Sequence, residues 1–119
     1  MTVASVVRRL NYEVVGSAAT AERALELVQQ CQPDIVLMDV NIKGVLDGID
    51  TAGAMRACSD AQIVFLTGAC DPVSMARMEA AEPAGIVLKP FRRTELASKL
   101  ACASQIRASW RQADFSPPV

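Results

Sequence analysis

The sequence contains no histidine. That absence excludes imidazole acid–base catalysis, a serine-type triad built on histidine and a phosphohistidine carrier. Its four cysteines, Cys31, Cys58, Cys70 and Cys102, form no CxxC pair, so no zinc or redox motif is present. They are expected as reduced, buried thiols of a cytoplasmic protein. Neither GxGxxG nor GxxxxGKS/T occurs, so there is no glycine cradle for a nucleotide pyrophosphate. No apolar run approaches the ~20 residues of a membrane span. The opening MTVASVVRRLNYEVV lacks the basic-then-apolar order of a signal peptide. Neither sign of charge dominates: the net charge is −1, which gives no global pull toward nucleic acid or an anionic membrane. Internal repeats, low-complexity segments and linkers are also missing, and a length of 119 residues suggests one domain around one core.

What is present is an alternation of short apolar runs with longer helical patterns. YEVVGS (12–17), DIVLMD (34–39), QIVFLT (62–67) and GIVLK (85–89) are expected as strands. Three of them have continuous Ile/Val/Leu/Met/Phe cores rather than strict alternation, the mark of strands covered on both faces in a parallel sheet. Thr20 is placed to cap a helix over about 20–30, with Glu22 in its first turn and Ala21, Ala24, Leu25 and Val28 on its apolar face; Pro33 follows its end. A second helix is expected over about 48–58. A third begins at Asp71-Pro72, a cap followed by proline at the first helical position, and runs to about 81. A last helix over about 94–110 carries the stripe Leu96, Leu100, Ala103, Ile106 and Trp110. The first ten residues read as a short helix. The domain is taken as 1–110, with 111–119 as a frayed tail. Strand–helix alternation implies an α/β fold with right-handed crossovers.

Asp39, Thr67 and Lys89 each end one of the apolar strands. Ligands of open α/β sheets bind along the carboxyl ends of the strands, so an anion, a hydroxyl and an ammonium are expected to converge there. Each residue alone could merely mark where a strand leaves the core; three in succession, followed by Lys89-Pro90, favour a shared site. DIVLMD, IVFLTG and GIVLKPF, with the spacings between them, resemble the receiver domain of bacterial two-component response regulators, over about 3–100. The stretch MDVNIKGVLDGID also resembles the receiver loop with an extra residue and a Lys-Gly turn, here Lys43-Gly44. The resemblance implies a flavodoxin-like (CheY-like) parallel sheet with helices on both faces. It implies that Asp39 is the phosphoacceptor, Thr67 the switch hydroxyl and Lys89 the ammonium that pairs with the phosphoryl charge. Pro90 matches a proline in a cis bond that orients the lysine, Gly68 a small residue that leaves space for the phosphoryl, and the main-chain carbonyl of Asn41, with Asp39, a Mg²⁺ ligand. A histidine kinase or phosphotransfer protein is the implied partner. The implied role is signalling rather than enzymatic, and cytoplasmic, with no direct contact to nucleic acid or membrane.

Departures from the family pattern carry their own expectations. Receivers begin with an apolar strand ending in an acidic pair that holds Mg²⁺; here no acidic pair precedes Glu13, and the chain reads as truncated at its N-terminus, leaving four strands. Asp39 and Asn41 alone make a poor cage for an ion that prefers octahedral oxygen coordination, and Asp47 could help only if its loop folds inward. Mg²⁺ binding is therefore expected to be weak and phosphorylation impaired. Without the central strand, two edges of backbone donors and acceptors lose their partner. Either 12–17 slides across to pair with 34–39, or two chains complete each other's sheets as a homodimer. Ile86 stands where receivers commonly carry a switching aromatic. The basic residues Lys89, Arg92, Arg93, Lys99, Arg107 and Arg111 read as a solvated helix face or a partner surface. The competing reading is a degenerate receiver that keeps the fold as a phosphorylation-independent interaction or dimerisation module.

Overall fold

The computed structural model describes residues 3–41, 46–68 and 71–113, with side chains through Ile106. In chain order these form α1 (Val3–Arg9), α2 (Ala21–Cys31), β1 (Ile35–Asp39), α3 (Gly48–Met55), β2 (Gln62–Thr67), α4 (Pro72–Ala80), β3 (Gly85–Leu88) and α5 (Arg93–Ala113). The strands make one parallel sheet in the order β1-β2-β3, with Ile35 opposite Gln62, Asp39 opposite Leu66 and Thr67 opposite Leu88.

The helices start where short polar side chains can satisfy the free N–H groups of a first turn. Thr20 accepts from the Arg23 N–H at 3.2 Å, Asp47 from Asp50 at 2.9 Å and Asp71 from Ser74 at 3.0 Å. α2 stops at Gln32, whose backbone is left-handed (φ 44°) and whose N–H returns to the Val28 carbonyl, and Pro33 prevents continuation.

Two apolar layers sandwich the sheet. On one face Ala24, Val28, Ala52, Met55 and Met78 from α2, α3 and α4 meet Met38, Ile63 and Phe65. On the other, Val6 of α1 and Leu96, Leu100 and Ala103 of α5 meet Val64, Leu66 and Val87. β2 is buried along its whole length because it has a strand on each side and helices above and below. That explains its unbroken apolar run: each large side chain removed from water contributes about 1.5–3 kcal/mol.

Several expectations change. Among the described residues the sheet has three strands, not four: residues 12–18 have no regular secondary structure and belong to no ladder. An apolar, β-branched run has the local character of a strand, but a strand exists only through a partner's backbone, and 12–17 neither pairs with nor slides onto β1. It is held instead by side chains, with the Tyr12 hydroxyl 3.3 Å from that of Ser104 on α5. The described cysteines are less buried than expected: Cys31 and Cys102, on helices α2 and α5, are exposed, and Cys58, in the turn after α3, is half-buried, while Cys70 lies outside the described residues. α3 ends at Met55 in a tightened turn, and α5 continues past Trp110 to Ala113. The Lys43-Gly44 turn lies outside the described residues.

Candidate functional site at the carboxyl edge of the sheet

Parallel pairing carries the C-terminal ends of all three strands to one rim. Asp39 closes β1, Thr67 closes β2 and Lys89 directly follows β3. The Lys89 N–H donates to the Thr67 carbonyl at 2.7 Å, which extends the ladder and fixes where the lysine leaves the sheet. Its ammonium then crosses the end of β2 and reaches Asp39, with Nζ 2.7 Å from Oδ2. The other carboxylate oxygen, Oδ1, accepts from the Asn41 N–H at 2.9 Å. Thr67 lies on the strand between the two charged residues and is fully buried, so its hydroxyl sits beneath the rim. The Lys89–Pro90 peptide is cis.

Partial burial pushes the Asp39 carboxyl up, but the hydrogen bond from Lys89, the Asn41 N–H and the lysine charge outweigh it and hold the carboxyl below its ordinary value. The pair is open to water, with 46% of the Asp39 side chain and 37% of that of Lys89 exposed. Such an ion pair contributes little to stability. Its exposure instead leaves the carboxylate reachable by a reactant.

The N-terminus of α3 packs directly against this rim. The Gly48 N–H donates to the Val40 carbonyl at 2.9 Å. A Cβ on Gly48 would lie 2.7 Å from Val40 Cα and 2.8 Å from the Asp39 carbonyl carbon, and closer still to the Asp39 carbonyl oxygen. Only glycine allows the helix to come this near. Gly68, by contrast, faces open space, where a Cβ would meet no atom within 4 Å.

Asp47 does not fold toward Asp39. It caps α3, and its Oδ2 lies 2.9 Å from a guanidinium nitrogen of Arg77, which also bonds Asp50 at 3.2 Å. Burial raises the Asp47 carboxyl; the Asp50 N–H and Arg77 more than reverse that and leave it lowered. The Arg77 guanidinium is correspondingly raised, first by its hydrogen bond to Asp47. This α3–α4 clamp was not foreseen from the sequence. The only signal for it was the cap pattern Asp47-Gly48-Ile49-Asp50, since Arg77 lies thirty residues on. Gly48 was likewise missed. Ile86 is half-buried and packs into the layer that contains Phe65 and Met78.

Among the described residues, no group of three or more carboxylate, cysteine or histidine side chains is gathered to hold a metal. Among the described residues, Asp39 is the carboxylate that closes a strand at the rim, Lys89 already engages it, and Asp47 bonds Arg77. Two oxygens, from Asp39 and the Asn41 carbonyl, fall short of what Mg²⁺ requires for tight binding. The residues present therefore do not fit a strong Mg²⁺ site.

The parallel sheet, helices on both faces and polar residues converging on the carboxyl edge define a flavodoxin-like α/β module. The chain belongs to the response regulator receiver domain family, whose profile matches residues 1–101. It is 34% identical over 96 residues to the transcriptional regulatory protein PdtaR of Mycobacterium tuberculosis, covering 81% of this chain and 46% of that protein. It is 33% identical over 95 residues to the DNA-binding response regulator MtrA of Mycobacterium leprae, covering 80% of this chain and 39% of that one. The chain thus spans less than half the length of these relatives. Among solved structures, the signal receiver domain of a modulated diguanylate cyclase from Desulfovibrio desulfuricans aligns with a TM-score of 0.81 at 28% identity, covering 88% of this chain and 83% of that one. The chemotaxis protein CheY4 of Vibrio cholerae aligns at 0.73 and 27%, covering 83% of each chain. Receiver domains are signalling modules of two-component systems; they interact with histidine kinases or phosphotransfer proteins and generally bind Mg²⁺. No helix among the described residues is long and apolar enough to cross a membrane.

Proposed function

We propose that this receiver accepts a phosphoryl group on Asp39 from the phosphohistidine of a kinase or phosphotransfer protein. The observation that carries the reading is the 2.7 Å contact of Lys89 with a solvent-accessible Asp39 carboxylate at the end of a parallel strand. A carboxylate oxygen of Asp39 attacks phosphorus, the new O–P bond forms as the P–N bond breaks, and the imidazole leaves. Such transfer depends on positioning and charge neutralisation more than on covalent help. The Asn41 N–H and the Lys89 ammonium orient the carboxylate beforehand. Lys89, a mobile point charge, then follows the charge from carboxylate to phosphoryl. The Thr67 hydroxyl, at the end of the intervening strand, is the donor to the arrived phosphoryl.

With one carboxylate at the rim, transfer is slow compared with a receiver that holds Mg²⁺ tightly. The commitment of Asp47 to Arg77 favours a second reading, in which the fold serves as an interaction module without phosphorylation. Incubation with acetyl phosphate and Mg²⁺ separates the two. The first predicts an intact-mass gain of one phosphoryl group that is lost in Asp39→Asn; the second predicts no gain in a chain that remains folded.

A further inference from the structure

Gly48 sets how closely α3 approaches the end of β1, and it has no side chain to hold it there. Its position is inherited from its neighbours. On one side Ile49 is buried in the core. On the other stands Asp47, half-buried, and what fixes Asp47 comes from α4. Arg77 takes both oxygens of that carboxylate in a fork: Nη1 lies 2.9 Å from Oδ2, and Nη2 donates to Oδ1 at 3.2 Å. Nη2 also donates to Asp50 Oδ1 at 3.2 Å, so one guanidinium spans the first turn of α3. Arg77 is placed in turn by the residue after it, Met78, which is fully buried and is the only buried residue of α4.

A lone exposed ion pair contributes little to folding, but a forked guanidinium–carboxylate contact adds geometric specificity to charge. Geometry is what a carboxylate nucleophile needs, since a small misplacement of a reacting group costs rate. The Gly48 N–H bonds the Val40 carbonyl at 2.9 Å, and the next residue's N–H, that of Asn41, bonds Asp39 Oδ1 at 2.9 Å. The path from Arg77 to the carboxylate therefore runs through Asp47, Gly48, Val40 and Asn41, and each link is a hydrogen bond, an ion pair or an adjoining peptide. We propose that Arg77 is a positioning residue for the phosphoacceptor: its hold on Asp47 keeps Gly48 against Val40, and so keeps the Asn41 N–H aimed at Asp39. The consequence for phosphoryl uptake rests on the proposed phosphoacceptance; the effect on the backbone of the rim does not. The contact that turns Asp47 away from a metal thus serves the carboxylate beside it.

The test uses Arg77→Met, Arg77→Lys and Asp47→Asn in the whole chain. Asparagine caps a helix about as well as aspartate, so Asp47→Asn removes the charge and leaves the cap. Amide hydrogen exchange and NMR shifts at Gly48 and Asn41 are read without any phosphodonor, and the rate of phosphoryl uptake is read with acetyl phosphate and Mg²⁺. Arg77→Met and Asp47→Asn should each speed exchange at Gly48 severalfold, shift the Asn41 amide and slow uptake severalfold. The double variant should be no worse than either. Arg77→Lys should recover part of the rate, because lysine keeps the charge and loses the fork. High salt, which screens exposed pairs, should bring the Gly48 amide of the unaltered chain toward that of Arg77→Met. Arg23→Met, which breaks an exposed pair within α2, should change neither readout. Gly48 and Asn41 amides that are unchanged in Arg77→Met overturn the proposal. So do amides that change while uptake does not, and a loss of uptake that Arg77→Lys fails to relieve. An unaltered chain that takes up no phosphoryl group refutes the phosphoacceptance reading instead, and the two amides then decide on Arg77 by themselves.

Discussion

At the scale of single residues, the proposed phosphoacceptance turns on the Asp39–Lys89 contact. Asp39 carries a lowered pKa because the ammonium and the Asn41 N–H together outweigh its partial burial. Removing the ammonium in Lys89→Met should move the Asp39 titration back toward the ordinary carboxylate range, as followed by carboxyl carbon NMR. The same change should slow phosphoryl uptake by about tenfold or more, the scale of losing one preorganised charge partner. An unchanged titration would mean that Asn41 alone holds the carboxylate. The pH dependence of folding has a definite sign. Asp39 and Asp47 both titrate lower in the folded chain than in the unfolded one. Their contribution is complete above the unfolded carboxylate value of about 4 and is lost as pH falls through the depressed folded values. The urea midpoint should therefore hold steady from neutral pH down to about 5 and decline below about 4; a rise on acidification would contradict the assignment.

At the scale of elements, the approach of α3 to the end of β1 depends on a missing side chain. Gly48→Ala forces a methyl into the backbone of Asp39 and Val40, so α3 must back away. A cost of about 1–3 kcal/mol is expected in urea unfolding, the range for overpacking a tight contact. Phosphoryl uptake should fall as well, because the displaced backbone carries Asp39. Gly53→Ala, in the same helix with no atom within 4 Å of the added Cβ, is the control and should be neutral or slightly stabilising. Local patterns made most elements legible. The caps at Thr20, Asp47 and Asp71 and the continuous cores of the three true strands are written within a few residues of where they act. What was not legible depended on distance. YEVVGS looks like a strand, yet it joins no ladder among the described residues, and a local pattern does not report whether a partner backbone lies beside it. Asp47 could serve a metal only if its loop folded inward, and Arg77, thirty residues on, holds it elsewhere. The rim itself was legible because parallel pairing of consecutive strands places their ends together.

At the scale of the whole molecule, the described residues form a receiver sheet of three strands with Asp39, Thr67 and Lys89 gathered along one edge. The assembled edge argues for phosphoacceptance, and the thin set of oxygen ligands argues for weak Mg²⁺ binding. A calorimetric titration should show Mg²⁺ affinity well below that of a receiver with several carboxylates at the site; an affinity equal to such a receiver's would mean that residues outside those described complete the cage. The central claim is that Asp39 is where the phosphoryl group arrives. Its most direct test is peptide-level mass mapping after exposure to a phosphodonor. The account predicts that the added group lies on the peptide containing 34–41 and disappears in Asp39→Asn. A phosphoryl group found on any other peptide, or retained when Asp39 is replaced, would contradict it.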